Sequence, residues 1–266
     1  MTAERLRHCF STRAGKTRLV VYLTIGDPSV EDSLACARAA LEAGADVLEL
    51  GVPFSDPTAD GPVIAAASHR AIEHGGSLRR ALDVARGLRQ QSAAPLVLFS
   101  YLNPIVAFGE EELPAAAAAA GVDGLLVVDL PPEEGALLRG AARAAELAMI
   151  PLVAPTTSPE RLPLVVDGAD GFVYYVSLTG VTGSAKAPLS EAAKVAAKLE
   201  RDIGVPVAVG FGIDSPERAR AVADAGVSGV VVGTAVVRAI AGAKDTAGRV
   251  AAVRELVAAL RSGLDS

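Results

Sequence analysis

Short apolar runs alternate along the whole chain with longer stretches whose apolar residues recur at helical spacing. The first run, Leu19–Thr24, predicts a buried strand, and Val30–Ala43 then has the spacing of a helix that stops at Gly44. Further strands are predicted at Val47–Leu50, Leu96–Ser100, Gly124–Val128, Ile150–Ala154, Phe172–Val176, Val205–Val209 and Gly229–Val232. The helices that follow them are predicted at Leu78–Gln91, Glu110–Ala120, Pro132–Leu147, Ser158–Val166, Glu191–Asp202, Ser215–Ala225 and Ala247–Arg261.

Eight strand–helix units at a spacing near ~30 residues are typical of a (β/α)8 barrel, or TIM barrel. Extra helices are predicted at the N-terminus, Ala3–Arg13, and as short pieces after strands two and eight, Pro62–His74 and Thr234–Ala239. An open, doubly wound sheet is the alternative. Such a sheet usually has a glycine-rich dinucleotide fingerprint after its first strand, where this chain has TIGDPS. No linker-like segment divides the chain, so we expect one barrel domain over residues 1–266.

Composition and charge limit the cellular compartments and the kinds of binding partner that are expected. The chain is 51% hydrophobic with a formal net charge of −6, so it can bury a large core and has no broad attraction for nucleic acid or a membrane surface. The N-terminus lacks the apolar core of a signal peptide, and no apolar run approaches the ~20 residues that span a bilayer. The two cysteines and three histidines lack the spacing of a disulfide framework or a metal site. A soluble, cytoplasmic protein without a metal site is therefore predicted.

The segment VLELGVPFSDPTADG, residues 47–61, places acids where they are unexpected. Glu49 lies within a buried strand, at the strand end where barrel enzymes carry their active sites. If Leu48 and Leu50 face the helices, Glu49 points into the barrel mouth, where burial would raise its pKa toward neutrality and suit it to acid–base catalysis. Asp60 follows on the rim. The alternative interpretation makes Glu49 a structural acid paired with a lysine or arginine, and Asp56 and Asp60 turn residues.

The loops after strands seven and eight are rich in small residues. Gly210–Gly212 and the Gly233–Thr234 pair allow backbone amides to approach an anion, and the short helix from Thr234 would direct its positive end at it. Together these features predict a phosphate site, although each glycine alone is also common at a strand end. The loop from Ser177 to Ser190 is interpreted as a lid over substrate or, alternatively, as a flexible connector.

Aromatic residues are predicted at or near the strand ends. Tyr22, Phe99, Tyr174 and Phe211 fall there in a chain that has only 4 Tyr, 6 Phe and no Trp. Core packing is the ordinary explanation for any one of them. Four of them at one end of a barrel would suit a flat aromatic substrate.

Three motifs carry a specific resemblance to a known family. The strings LELGVPFSDPTADGP at 48–62, GVTG at 180–183 and VGFGI at 209–213 resemble the tryptophan synthase α subunit, with similarity over nearly the whole chain. The resemblance implies a (β/α)8 barrel that cleaves indole-3-glycerol phosphate into indole and glyceraldehyde 3-phosphate. It also implies an α2β2 complex with a pyridoxal-phosphate β subunit, and no cofactor in this chain.

The resemblance assigns roles to individual residues. Glu49 matches the acid/base carboxylate, and Asp60 matches the acid that engages the indole nitrogen. Positions that match the substrate pocket wall are Tyr22, Phe99, Leu126, Tyr174 and Phe211. Gly183, Gly212, Gly233 and Thr234 match the phosphate site, and Thr182 matches the lid residue that meets the catalytic aspartate on closure.

Some positions depart from the family pattern, and others match its partner contacts. The departures are Thr58, Phe99, Leu178 and Thr234, which leave the pocket shape and the lid contacts open. Partner contacts are implied around Pro53 and Asp56 and near Asn103 and Pro104.

Three alternatives remain at this point. The chain could be a stand-alone lyase that releases free indole. It could be another phosphate-binding barrel, such as an isomerase or a flavin enzyme. It could also be a non-catalytic barrel that activates a partner.

Overall fold

The structure is a computed structural model that describes residues 3–12, 16–176, 189–210 and 212–266. The strands of its described part are β1 Arg18–Thr24, β2 Val47–Gly51, β3 Leu96–Ser100, β4 Gly124–Val127, β5 Ala148–Met149, β6 Leu152–Val153, β7 Val173–Val176, β8 Val207–Gly210 and β9 Gly229–Val232. These nine strands form one sheet in the order β5-β4-β3-β2-β1-β9-β8-β7-β6, and every pairing between neighbouring strands is parallel.

The two shortest strands together occupy one barrel position. Met149 of β5 pairs with Leu125 of β4, and Leu152 of β6 pairs with Tyr174 of β7. The single segment that contains both therefore joins the two ends of the sheet and closes an eight-position barrel. This confirms the predicted (β/α)8 fold. The predicted strand Ile150–Ala154 is wrong in its bounds, because Pro151 has no N–H to donate and the ladder is interrupted beside it.

Helices follow the strands through the described part of the chain. They are α1 Ala3–Ser11, α2 Val30–Glu42, α3 Pro62–Glu73, α4 Leu78–Arg89, α5 Leu102–Phe108, α6 Glu112–Ala119, α7 Ala136–Ala144, α8 Leu162–Val166, α9 Leu189–Ile203, α10 Pro216–Ala223, α11 Thr234–Gly242 and α12 Thr246–Asp265. Helices are present at all three extra positions, as α1, α3 and α11. Ser215 caps α10 by accepting from the Arg218 N–H, with Pro216 in the first turn, as the sequence predicts.

Several helices differ in bounds from the sequence-based expectation, and three of them have a clear reason. Helix α5 was not predicted, because its seven residues are too few for a clear period and include Pro104. Helix α7 lacks both ends of the predicted Pro132–Leu147. Helix α8 has five residues, whereas Ser158–Val166 was expected, because residues 159–161 form turns instead.

The core has an outer and an inner layer. Leu48 and Leu50 belong to the outer cluster between strands and helices, whereas Val47 belongs to the inner cluster that fills the barrel. Helix α1 contributes Leu6 to that inner cluster, and the Phe10 ring lies 5.1 Å from the Phe172 ring. The alternation along β2 therefore places the side chain of Glu49, which lies between the two leucines, on the inner face.

Within the described ranges, no helix combines the length and the apolarity that a membrane crossing requires.

Candidate active site

Glu49 lies on the inner face of β2, as the alternation predicts. Its side chain has no exposed surface, and neither carboxylate oxygen has a hydrogen-bond partner among the described residues. Burial raises the pKa of Glu49 to about 8, because an ionised carboxylate without a partner is strongly disfavoured out of water. No described lysine or arginine therefore pairs with Glu49, as the alternative interpretation of Glu49 as a structural acid would require. A carboxyl with this pKa can both donate and accept a proton near neutral pH.

Asp60 lies in the loop between β2 and α3 and is partly exposed. Its Oδ2 accepts a hydrogen bond from the Tyr101 hydroxyl at 3.2 Å, and that hydroxyl accepts one from the Ala59 N–H at 3.0 Å. Burial raises the pKa of Asp60 to about 6, and the Tyr101 hydrogen bond opposes this shift. At pH 7 Asp60 is therefore mostly ionised, whereas Glu49 is mostly protonated.

A pocket of about 220 Å³ opens at the carboxyl ends of the strands. The described residues that line it are Tyr22, Ala59, Asp60, Gly61, Ile64, Phe99, Val128, Leu152, Tyr174, Val176, Gly210, Gly212, Val231, Gly233 and Thr234. Asp60 therefore faces the pocket directly. Glu49 is absent from the described lining and lies beside it, opposite Tyr22 in the β1–β2 register.

One wall of the pocket is aromatic. The Phe99 ring makes edge contacts with both tyrosines, at 5.2 Å to Tyr22 and 6.5 Å to Tyr174 between ring centres. Burial raises the pKa of each tyrosine, and the carboxylates of Glu49 and Asp60 raise it further. Both hydroxyls therefore stay protonated at neutral pH and form a neutral wall.

Two glycines leave room for the tyrosine hydroxyls. A Cβ at Gly51 would collide with the Tyr22 hydroxyl, and a Cβ at Gly210 would collide with the Tyr174 hydroxyl. Glycine at the ends of β2 and β8 therefore allows two large rings to fit close to Glu49.

The pocket lining also contains three of the four predicted phosphate residues. Gly212, Gly233 and Thr234 all line it, and Gly212 has a φ of 33° that favours glycine. Gly233 caps the nine-residue α11 and Thr234 begins it. The first N–H groups of this helix have no intrahelical acceptor, and the helix dipole favours an anion at this end.

Several predicted site residues are absent from the described pocket lining. Thr182, Gly183 and Phe211 lie outside the described residues, as does Leu178 with most of the predicted lid. Leu126 is fully buried in the inner cluster and is absent from the described pocket lining. Its contact with a substrate stays a prediction.

Tyr101 and Ile64 are among the residues at the site that were not identified from the sequence. Tyr101 holds the Asp60 loop through the hydrogen bonds described above, and Ile64 of α3 lines the pocket. Tyr101 follows β3 directly, so its place at a strand end was the available signal. Ile64 carries no such signal, since an apolar residue on a helix normally packs into a core.

The segments implied in partner contact lie near this mouth. Asp56 is exposed in the β2–α3 loop, whereas Pro53 is buried. Asn103 is exposed and Pro104 is partly buried in α5. The Phe54 and Tyr101 rings, 5.1 Å apart, connect the two segments.

Comparison with known proteins assigns the chain to a family. A family model described as tryptophan synthase alpha chain matches residues 10–264. The chain belongs to the tryptophan synthase alpha chain family. A tryptophan synthase alpha chain from Alkalilimnicola ehrlichii is 48% identical over 98% of this chain and 95% of its own length.

Solved structures of the same family share the fold. Tryptophan synthase subunit alpha from Legionella pneumophila superposes with a TM-score of 0.88 at 36% identity, covering 100% of this chain and 99% of that one. A tryptophan synthase chain from M. tuberculosis superposes with a TM-score of 0.87 at 33% identity, covering 98% of both chains. The family assignment therefore agrees with the barrel topology and extends over almost all of the sequence.

Proposed function

We propose that this chain catalyses the retro-aldol cleavage of indole-3-glycerol phosphate to indole and glyceraldehyde 3-phosphate, as the alpha subunit of tryptophan synthase in tryptophan biosynthesis. The observation that carries this proposal is the environment of Glu49. The Glu49 carboxyl is fully buried, has no hydrogen-bond partner among the described residues, and lies beside a pocket at the carboxyl ends of the strands. Burying such a group without a partner is costly, and strongly perturbed carboxyls of this kind are concentrated at functional sites.

Glu49 is proposed to move the protons of the reaction. Its protonated carboxyl donates to indole C3, which leaves a positive charge on the ring. The resulting carboxylate then accepts the proton of the adjacent glycerol hydroxyl while the carbon–carbon bond breaks. The bonding electrons return to the ring to give indole, and the former hydroxyl carbon becomes the aldehyde. One carboxyl is thus restored to its starting state, which requires a pKa near the working pH.

Asp60 is proposed to stabilise the charge on the ring nitrogen. Its carboxylate faces the pocket and is mostly ionised at pH 7, because its pKa is about 6. It can accept a hydrogen bond from the indole N–H and offset the positive charge that C3 protonation creates. The aromatic wall of Tyr22, Phe99 and Tyr174 suits the flat ring between these two acids.

The phosphate group of the substrate also has a proposed binding site in the pocket. Gly212, Gly233 and Thr234 are proposed to bind the phosphate at the start of α11. The proposed reaction is pure proton transfer and bond cleavage, so we expect this chain to need no cofactor of its own. The described residues also include no cluster of three or more potential metal ligands. A cytoplasmic location stays a prediction.

The beta subunit of tryptophan synthase is the proposed partner, and pyridoxal phosphate is expected there. The exposed Asp56 and Asn103 are candidate contacts near the pocket mouth. Co-purification with the beta subunit, and faster cleavage when it is added, would support a working α2β2 complex. Absence of a complex, with undiminished solitary turnover, would favour a stand-alone lyase instead.

A product assay tests the proposed reaction. Purified protein is incubated with indole-3-glycerol phosphate, and indole and glyceraldehyde 3-phosphate are measured in parallel. We expect equal amounts of both, and about a 10²–10⁴-fold lower rate for Glu49→Gln, which keeps the side-chain size but removes the transferable proton.

Glu73→Gln is the matched control, since Glu73 is exposed at the end of α3. It should retain the wild-type rate. Full indole production by Glu49→Gln would exclude the proposed proton carrier, and absence of both products in wild type would exclude the reaction.

A further inference from the structure

The loop that carries Asp60, residues 52–61 between β2 and α3, is held by side chains that lie outside it. Near its end, the Tyr101 hydroxyl donates a hydrogen bond to Asp60. Near its beginning, Ser68 of α3 contacts the backbone of Phe54. The loop is therefore attached to the barrel close to both of its ends.

Ser68 binds both backbone polar groups of one loop residue. Its Oγ accepts a hydrogen bond from the Phe54 N–H at 2.7 Å and donates one to the Phe54 carbonyl oxygen at 3.0 Å. Ser68 is only 4% exposed. The three residues before it, 65–67, are alanines, which are better helix formers and bury no hydroxyl. The loop backbone therefore explains why a serine occupies this buried helix position.

Helix α3 gives Ser68 a fixed base. Its neighbour Ala67 is fully buried in a cluster that includes Val237 of α11. Two residues further along the helix, Arg70 makes two hydrogen bonds to the buried Asp27 carboxylate, at 2.9 and 2.8 Å. Helix α3 is thus attached both to α11 and to the loop that follows β1.

The ring of Phe54 contacts the residue that donates to Asp60. The Phe54 and Tyr101 ring centres are 5.1 Å apart, with an angle of 36° between the ring planes. Tyr101 is buried, and its hydroxyl lies 3.2 Å from Asp60 Oδ2. Because packed side chains leave few voids, a displaced Phe54 ring would also displace its neighbour. The contacts form a continuous series from Ser68 through Phe54 and Tyr101 to Asp60.

We propose that Ser68 is a positioning residue: by holding Phe54 in place, it keeps the Tyr101 hydroxyl at the Asp60 carboxylate. Its importance for catalysis rests on the proposed function, in which Asp60 offsets charge on the indole nitrogen. Without the Ser68 hydroxyl, both backbone groups of Phe54 lose their partner, and the start of the loop is free to move. The Tyr101 hydrogen bond lowers the pKa of Asp60, so weakening it should raise that pKa.

Titratable groups on other elements also face Asp60. They are Tyr101 before α5, Tyr22 of β1 and Tyr174 of β7, and Glu49 of β2 interacts with the last two. Burial raises the pKa of each tyrosine and of Glu49. All four are therefore mostly uncharged near pH 6, where Asp60 titrates.

Infrared difference spectroscopy measures the pKa of Asp60 without any turnover. Spectra of each protein minus those of its Asp60→Asn counterpart, recorded across the acid range, isolate the carboxyl band of Asp60. With Ser68 present we expect a midpoint near pH 6. With Ser68→Ala the midpoint should be higher by about 0.5 or more, as expected when a hydrogen bond to the charged form is weakened.

Ser33→Ala is the matched control. Ser33 is a buried serine of α2 whose hydroxyl also bonds the backbone twice, accepting from the Gly26 N–H at 2.9 Å and donating to the Ser29 carbonyl oxygen at 2.8 Å. Its loss should leave the Asp60 midpoint near pH 6. Ser68→Thr keeps a hydroxyl and should bring the midpoint back toward the wild-type value. Circular dichroism checks that each variant is folded.

Two further variants test the path to Asp60. Phe54→Leu removes the ring but keeps the backbone groups that Ser68 binds, and it should raise the midpoint as Ser68→Ala does. Tyr101→Phe lacks the donor, so adding Ser68→Ala to it should cause no further rise. An additive rise in this double variant would mean that Ser68 acts by another route and would overturn the proposal.

Steady-state kinetics connect the position of Asp60 to the reaction. Ser68→Ala should lower kcat about tenfold with little change in KM, because Asp60 acts on charge that develops during the reaction. The acid limb of the rate profile should move with the infrared midpoint. An unchanged midpoint in Ser68→Ala, or an equal rise in Ser33→Ala, would overturn the proposal.

The infrared readout does not depend on indole production, so the two proposals fail separately. Absence of indole from the wild-type protein would reject the proposed function. An active wild-type protein whose Asp60 midpoint is insensitive to Ser68→Ala would reject the positioning role of Ser68.

Discussion

The two acids of the site occupy different kinds of backbone, and this difference separates their chemistry. Glu49 is held on a fully buried strand with Leu48 and Leu50 packed behind it. Asp60 is in a partly exposed loop, where the Tyr101 hydroxyl donates to it. Isolation raises the pKa of Glu49 to about 8, while partial exposure and one hydrogen bond leave that of Asp60 at about 6. Neighbouring carboxyls can thus hold opposite protonation states at neutral pH.

Removing the negative charge of Asp60 tests the role of the acid in the loop. Asp60→Asn keeps the size of the side chain but cannot offset positive charge on the ring nitrogen. We expect the rate of indole formation to fall by about 10²–10³-fold, the usual cost of losing one preorganised electrostatic group.

Asp56→Asn is the control for the loop. Asp56 is exposed in the same loop, and its substitution should leave cleavage by the isolated chain near the wild-type rate. Equal losses in both variants would point to disruption of the loop rather than to loss of charge at the ring.

Glu49, the acid on the strand, should make the free energy of unfolding depend on pH. The folded pKa of Glu49, about 8, is above its ordinary value of 4.5, so its stabilising contribution is complete below about pH 4.5 and is lost as pH rises toward 8. Relative to Glu49→Gln, wild type should lose unfolding free energy by up to about 1.4 kcal/mol per pH unit across this window. Urea unfolding of both proteins at several pH values measures this difference, and parallel curves would contradict it.

The smallest expected effect concerns the hydrogen bond to the loop acid. Tyr101→Phe removes the donor that lowers the pKa of Asp60, so that pKa should rise above about 6. The acid limb of the rate profile should move to higher pH, and stability should fall by about 0.5–1.5 kcal/mol. Tyr175→Phe, a tyrosine in the outer core cluster, is the comparison and should leave the acid limb in place.

Much of this architecture could be predicted from local patterns. The alternation of side chains along the strand predicted that Glu49 is on the inner face, because the apolar Leu48 and Leu50 on either side of it pack against the helices. The bounds of β3 and β9 agree with their apolar runs residue for residue. One domain over residues 1–266 and the roles of the site residues stay predictions.

What could not be predicted depends on contacts between distant segments. The hydrogen bond between Tyr101 and Asp60 joins residues 41 positions apart, and no local pattern contains it. The division of the fifth strand depends on Pro151, whose effect on the ladder appears only when β4 and β7 lie on either side. The isolation of Glu49 is likewise a property of the packed barrel.

The central claim, that an isolated Glu49 carries the protons, is tested most directly by titrating its carboxyl. Infrared difference spectra between wild type and Glu49→Gln, recorded from acidic to alkaline pH, isolate the protonated carboxyl band of this residue. We predict that the band persists at neutral pH and is lost with a midpoint near pH 8. A midpoint near the ordinary value of 4.5 would mean that Glu49 is ionised at neutral pH and would contradict its proposed role as the acid.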